Sequence, residues 1–147
     1  MFDPNQFDKS TFTNTPFVKK VPKPWGYELI FTSEDLPYTG KIMHIKAGTR
    51  QSLQIHDKKQ ETYVIVSGKA GVIIENENGE MVTIEFEKGK GYTTKIGQKH
   101  RIFAIEDTDV WEFSTPETGT TYRLEDDYAR GDETDEVRKD PNRGWNG

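Results

Sequence analysis

Between Tyr27 and Thr115 the chain is cut by turn signals into runs too short for ordinary helices. The runs YELIFT, KIMHIK, SLQIH, TYVIVS, AGVIIEN, EMVTIEF, GYTTKI, HRIFAI and DVWEFST are rich in β-branched and aromatic residues, and clusters of Gly, Asn, Asp and Lys separate them. Nine strands of this length and spacing predict an all-β sandwich or barrel. The Asn-Gly pair in NENGE marks a hairpin turn between two alternating runs. In MVTIEF, Val82, Ile84 and Phe86 fall on one face and Thr83 and Glu85 on the other, which predicts a half-buried strand. YVIV has no polar face, so it is expected to be covered on both sides, the second cover coming from another subunit of a homodimer.

At 147 residues the length suits one domain with one core. Charged residues make up 31% and apolar residues only 32%, which places part of the chain, chiefly its ends, outside that core. Residues 1–21 read as an extended arm whose Phe residues pack onto something, residues 22–130 as the barrel domain, and residues 131–147 as a polar, loose tail with Trp145 its one candidate anchor. A net charge of -5 and the absence of long Lys/Arg runs argue against nucleic acid as a partner. No run is long and apolar enough for a membrane span or a secretory leader, so a cytoplasmic, soluble protein is expected. Without cysteine there is no disulfide, thiolate ligand or thiol nucleophile, and any metal must be held by His, carboxylate, amide or water.

Chemistry concentrates in GTRQSLQIHDKKQETYVIVSG, residues 48–68. Gln54 and His56 share a strand face because side chains alternate with period two. A tight turn through DKKQ brings Glu61, at the head of the next strand, toward the same face. His100, on a late strand that a rolled-up sheet can set beside an early one, is the natural fourth member. Taken singly, each of these residues also suits a turn or a solvated strand end; together they fit a metal site. His44 has no amide or carboxylate at ligand spacing and is assigned a structural role.

These residues resemble the two motifs of the cupin family. Gly48, Gln54, His56, Glu61 and Gly68 follow the first, with Gln54 at its first His position; Gly89, Gly97 and His100 follow the second, with Lys95 where Pro is usual and Ala104 where Asn is common. The resemblance implies a single small jelly-roll barrel. KPWGYE, SLQIH, ETYVIVSGKAGV, KHRI and YRLEDDYAR further resemble the C-terminal isomerase domain of type II mannose-6-phosphate isomerases, over about residues 22–130. That implies Gln54, His56, Glu61 and His100 as ligands of a divalent metal, zinc first, with Fe2+, Mn2+, Ni2+ or Co2+ as alternatives. It also implies a small-molecule sugar phosphate as substrate and aldose–ketose isomerisation as the reaction.

Such a reaction needs an acid/base group and a cradle for the phosphate. Lys59, Arg123, Asp127 and Arg130 are the candidates, the last three within RLEDDYAR, which reads equally as a surface segment laced with ion pairs. Trp25, in the turn KPWGYE, either packs at the barrel mouth or walls a sugar site. The chain departs from the isomerase pattern in having Lys59 where Arg is usual, Thr62 where His follows the Glu, and GTT at residues 119–121 where an acidic run is usual. Lys lacks the bidentate fork of Arg. Those departures keep two alternatives open: a non-catalytic cupin that binds a metal or a sugar, and a non-haem iron dioxygenase using His56, Glu61 and His100.

Overall fold

A computed structural model describes residues 1–147. All nine predicted strands are present, within two residues at either end, and two more join them. In chain order they are β1 (Lys19–Lys23), β2 (Gly26–Ile30), β3 (Thr39–Ile45), β4 (Leu53–His56), β5 (Glu61–Ser67), β6 (Ala70–Glu75), β7 (Met81–Glu85), β8 (Tyr92–Thr94), β9 (His100–Ala104), β10 (Thr108–Ser114) and β11 (Thr121–Glu125). They form a six-stranded sheet, β1-β2-β3-β10-β5-β8, and a five-stranded sheet, β11-β4-β9-β6-β7, every pairing antiparallel. This is the jelly-roll class that the motifs imply.

The two added strands lie at sheet edges, where sequence signals are weakest. β1 contains Pro22, which an edge strand tolerates because its missing N–H is not needed for a second neighbour. The β1–β2 hairpin turns through Pro24-Trp25, and Gly26 sits with φ 153° against β3, where a Cβ would lie 1.8 Å from the His44 carbonyl oxygen. Trp25 is thereby turned into the core beside Met43, Ile45, Tyr63, Ile65, Val72, Ile102 and Val110.

The NENGE hairpin forms as predicted: Gly79 adopts φ 77°, and the Asn76 side-chain oxygen accepts from the backbone N–H groups of Asn78 and Glu80 at 3.0 and 2.9 Å. The strand after it is less buried than its alternation predicts. β7 is the edge strand of its sheet; Ile84 is exposed and only Phe86, just past the strand, reaches the core against Tyr63 and Tyr92.

Both ends differ from expectation. Residues 1–18 make two single-turn 3-10 helices capped by Asp3 and Asp8, and Phe2, Phe7, Phe12 and Phe17 all remain exposed rather than packed. The C-terminal stretch is not a loose tail. Glu133 exchanges two backbone hydrogen bonds with Thr121, of 2.8 and 3.0 Å, and Gly144 lies so close to Pro22 that a Cβ would meet its carbonyl oxygen at 1.8 Å. Trp145 is not the anchor, being 57% exposed; charge is. Arg143 pairs with Glu117 (3.1 Å) and Glu28 (3.8 Å), while Glu133 receives Arg123 (3.0 Å), Arg138 (3.2 Å) and Lys23 (3.4 Å).

Candidate metal centre

The inner face of the six-stranded sheet changes character along its strands. β3 points Ile45, Met43 and then Lys41 inward, β10 Val110 then Glu112, β5 Ile65, Tyr63 then Glu61, and β2 Ile30 and Glu28. Register places Glu112 opposite both Lys41 and Tyr63, and Ser114 opposite Glu61. One end of the interior is therefore hydrocarbon and the other is ionic. Across from the ionic end, the five-stranded sheet aligns Gln54 with His100 on one side and with Arg123 on the other, and His56 with Thr121.

At this end His56, Glu61 and His100 converge, their candidate ligand atoms all within 4.8 Å of one another and all three residues buried. His56 Nε2 contacts Glu61 Oε1, and His100 Nε2 lies 3.6 Å from the same oxygen. The far nitrogens are held by other groups. His100 Nδ1 donates to the Gln98 carbonyl at 2.9 Å, which turns the Nε2 lone pair inward, and His56 Nδ1 lies 2.9 Å from Thr121 Oγ1. The Tyr63 hydroxyl donates to Glu61 Oε2 at 2.7 Å, whereas the buried Oε1 has no hydrogen-bond partner. Outer partners that orient imidazole and carboxylate ligands in this way are characteristic of metal sites. Burial would raise the Glu61 pKa, but Lys59 and His56 outweigh it and hold the carboxyl well below its ordinary range. Burial lowers His56 to about 4 against the pull of Glu61, so its imidazole is neutral at pH 7. An ionised carboxylate and a neutral imidazole are the protonation states a divalent cation requires. The donor set fits such an ion.

Gln54 stands beside the triad with its Nε2 at 3.5 Å from His56 Nε2 and 3.4 Å from His100 Nε2, while its Oε1 accepts from Ser52 Oγ at 2.9 Å. Ligation by Gln54 requires the amide turned over so that oxygen faces the centre, a rotation that leaves every other atom in place. His44 lies elsewhere, stacked on Tyr27 and 2.7 Å from Asp109.

The proposed acid/base and phosphate groups separate. Lys59 reaches the cavity, 3.6 Å from both Glu61 and Glu112; burial depresses its pKa, but Glu112 and Glu61 overcome this and keep it a cation. Arg123 and Arg130 also line the cavity, but both are already paired. Arg123 binds Glu133 and the Gly131 carbonyl, and Arg130 grips Asp126 through both Nε and Nη2 at 2.9 Å. Asp127 does not reach the site: it sits at the surface in a bidentate pair with Arg50, each bond 2.8 Å. In the turn after β11, its neighbour Asp126 is the carboxylate that turns inward, with a side chain only 4% exposed. Thr62 points outward to Thr93, so strand alternation removes it from the centre altogether.

Several cavity residues escaped the motifs: Glu28, Lys41, Glu112, Glu117, Glu133 and Arg143. The signal was a charged residue in phase with the apolar face of a strand, as Lys41 is with Met43 and Ile45, and Glu112 with Val110. Burial and the charge of Glu61 push Glu112 well above the ordinary carboxylate range, against the pull of Lys41 and Lys59. Glu117 is driven the other way: burial opposes ionisation, but Lys41, Lys59 and Arg143 hold it well below. The space over the triad is about 50 Å³ and includes Trp25 in its wall, which therefore both packs the core and bounds the site. A second cleft of about 490 Å³ between the β2–β3 loop and the C-terminal segment shares Glu117 and Arg138 with it.

Residues 11–131 match the family described as Mannose-6-phosphate isomerase C-terminal. The chain belongs to that family. No curated protein sequence matches it. Among solved structures, a deletion mutant of the oxalate decarboxylase OxdC of Bacillus subtilis is similar with TM-score 0.65 and 23% identity, over 80% of this chain and 34% of that one. The oxalate decarboxylase formate complex of Lactobacillus farciminis gives 0.64 and 22%, over 80% and 38%. The capsular polysaccharide assembling protein CapF of Staphylococcus aureus gives 0.58 and 21%, over 80% and 35%. This member of the mannose-6-phosphate isomerase C-terminal family thus spans about a third of the length of each, and the likeness is one of cupin fold.

Proposed function

We propose that the chain is a metal-dependent cupin that interconverts an aldose phosphate and its ketose, with mannose 6-phosphate the first substrate to test and Zn2+ the first metal. The observation that carries the reading is geometric: Glu112, Glu117 and Lys59 line the same cavity as His56 and Glu61, which converge with His100, and the environment raises Glu112 and lowers Glu117. Groups whose environments push their pKa values apart divide into acid and base. Family membership adds the isomerase chemistry as the natural first hypothesis.

His56, Glu61 and His100, with Gln54 once its amide is turned over, would hold a divalent ion, which would supply Lewis-acid polarisation of the substrate carbonyl. Glu112 would give a proton to the carbonyl oxygen as negative charge builds there and take one back from the neighbouring hydroxyl as that carbon becomes the new carbonyl. Lys59, 3.6 Å from Glu112 and 3.9 Å from Glu117, stays charged and stabilises the enediolate. Glu117, ionised and paired with Lys41 and Arg143, would have to leave one of those cations to take the proton from carbon and return it to the neighbouring carbon. Arg123, Arg130, Arg138 and Lys139 are all paired with carboxylates, respectively Glu133, Asp126, Glu133 with Asp135, and Glu136, so a phosphate would bind by displacing one of these pairs.

The test is a coupled ketose assay on protein loaded with Zn2+, Fe2+, Mn2+, Ni2+ or Co2+ across hexose and pentose phosphates. Turnover that EDTA abolishes and metal restores is expected, with Glu112→Gln inactive but still metal-bound. No turnover with any sugar phosphate would sink the isomerase reading. A second reading rests on the small volume over the triad, about 50 Å³, far below the ~300 Å³ at which ordinary ligand pockets begin. It makes the centre a binding site for a small anion without isomerisation, and metal-dependent binding without turnover in the same screen favours it.

A further inference from the structure

β5 carries Glu61, Tyr63 and Ile65 on its inward face, so along one strand the interior passes from carboxylate to phenol to hydrocarbon. Tyr63 stands at that border, only 1% exposed. Its ring lies in the apolar core against Phe86, 6.2 Å between centroids, and its hydroxyl reaches back along the strand to donate to Glu61 Oε2 at 2.7 Å. The two oxygens of Glu61 thereby acquire different surroundings. His56 Nε2, His100 Nε2 and the Lys59 ammonium all approach Oε1, which has no hydrogen-bond partner, while Oε2 is held by the phenol. A buried phenol finds a partner whatever its role. A merely core-filling role does not account for the partner being the one Glu61 oxygen that neither histidine approaches.

We propose that Tyr63 is a positioning residue that keeps Glu61 a one-oxygen ligand, so that a divalent ion held by this cluster retains an open position for substrate. The inference rests on the metal centre and is independent of the isomerase reading. Carboxylates bind divalent ions through one oxygen or two. Here the free oxygen, Oε1, lies among the histidine nitrogens, and the second is already engaged by the phenol. Removing that hydroxyl leaves Oε2 a buried, charged acceptor without a donor, which is costly, and the bound ion becomes the group that satisfies it. A second oxygen on the ion fills a position that water or substrate would otherwise take, and an open position is what separates a catalytic metal site from a structural one. Phe in place of Tyr63 keeps the ring against Phe86 and deletes only the oxygen, so the packing of the core is preserved.

Mn2+ loaded into the full-length chain tests this, because its electron paramagnetic resonance lines broaden in water enriched in the magnetic isotope of oxygen according to the number of water molecules bound. Tyr63→Phe is expected to hold one Mn2+ per chain with one bound water fewer than wild type, and to bind azide, an anionic probe of the open position, at least about 10-fold more weakly. Tyr92→Phe removes a phenol oxygen that accepts from the Glu87 N–H outside the cavity, and is expected to match wild type in both measurements. An unchanged water count or an unchanged azide affinity in Tyr63→Phe overturns the inference and leaves the metal centre standing. A folded Tyr63→Phe that holds no Mn2+ also overturns it, since the phenol would then hold the carboxylate in place rather than limit it to one oxygen. A wild type that binds no Mn2+ overturns the metal centre and the inference together. The infrared difference spectrum between metal-loaded and metal-free wild type needs no variant: widely separated asymmetric and symmetric carboxylate stretches are expected of one-oxygen ligation, and the narrow separation of two-oxygen ligation overturns the assignment.

Discussion

Replacing His100 by Ala tests the metal centre most directly, because His100 is completely buried and its Nδ1 is already committed to the Gln98 carbonyl. Its Nε2 has no protein task other than to face Glu61 Oε1 and the other ligands. An ion present at about 100 times its dissociation constant stabilises the folded chain by about 2.7 kcal/mol. For a domain of this size each kcal/mol moves the midpoint by ~2–4 °C, so saturating metal should raise wild-type Tm by about 5–10 °C. In His100→Ala the gain should fall below about 2 °C, with bound metal well under one per chain. The metal-free variant is itself weakened by about 1–3 kcal/mol, because the Gln98 carbonyl loses its donor inside the fold. His44→Ala is the control: its ring stacks on Tyr27 away from the cavity, and the full metal-induced shift is expected to remain. Thermal melts with and without metal, together with elemental analysis, decide the matter. Retention of one metal and the full shift by His100→Ala, or their loss in His44→Ala, would refute the assignment.

Lys41→Met leaves Glu28, Glu112 and Glu117, at 3.2, 3.4 and 2.5 Å from the ammonium, without their shared cation, and a loss of about 3–5 kcal/mol is expected in urea unfolding; a change under 1 kcal/mol would show that the cluster rearranges freely. Burial alone would raise Glu133, but Lys23 and Arg143 lower it from 4.5 to about 2, so its contribution to stability is fully present above pH 4.5 and is lost as pH falls through about 2. The stability difference between wild type and Glu133→Gln should therefore shrink by about 3 kcal/mol between those limits, and a difference independent of pH contradicts the pairing. Gly26→Ala drives a Cβ into the His44 carbonyl at a left-handed φ, and a cost of about 3 kcal/mol or more is expected; an unchanged urea midpoint would show that the hairpin shifts freely.

The fold was legible because its signals are local. β-branched runs alternating with turn residues locate nine strands, and Asn78-Gly79 locates a hairpin without reference to the rest of the chain. Both missed strands are edges: β1 carries Pro22, and β11 carries Arg123 and Glu125, residues that read as surface when seen alone. The metal cluster was legible because Gln54, His56 and Glu61 lie within eight residues and follow the motif. Asp127 was misplaced for a local reason. It and Asp126 are adjacent in a turn, and only the folded backbone decides which one meets Arg130 and which meets Arg50. The departure at Thr62 loses its weight once alternation turns that side chain outward.

From residue types and spacing alone came the class of fold, the strand positions and the candidate ligands, since period-two alternation and turn chemistry act over a few residues. Tertiary structure decided the rest. It drew Glu133 and Arg143 out of an expected loose tail into the mouth of the sheets, because buried Lys23 and Glu28 and half-buried Glu117 need counter-charges that no neighbour in sequence supplies. It also set Glu112 beside Lys41 and Glu61, so that burial and the Glu61 charge push its pKa up while Lys41 pulls it down. Protonation in a buried site depends on every charge within a few ångströms, and those neighbours come from β2, β3, β5, β10 and the closing segment together.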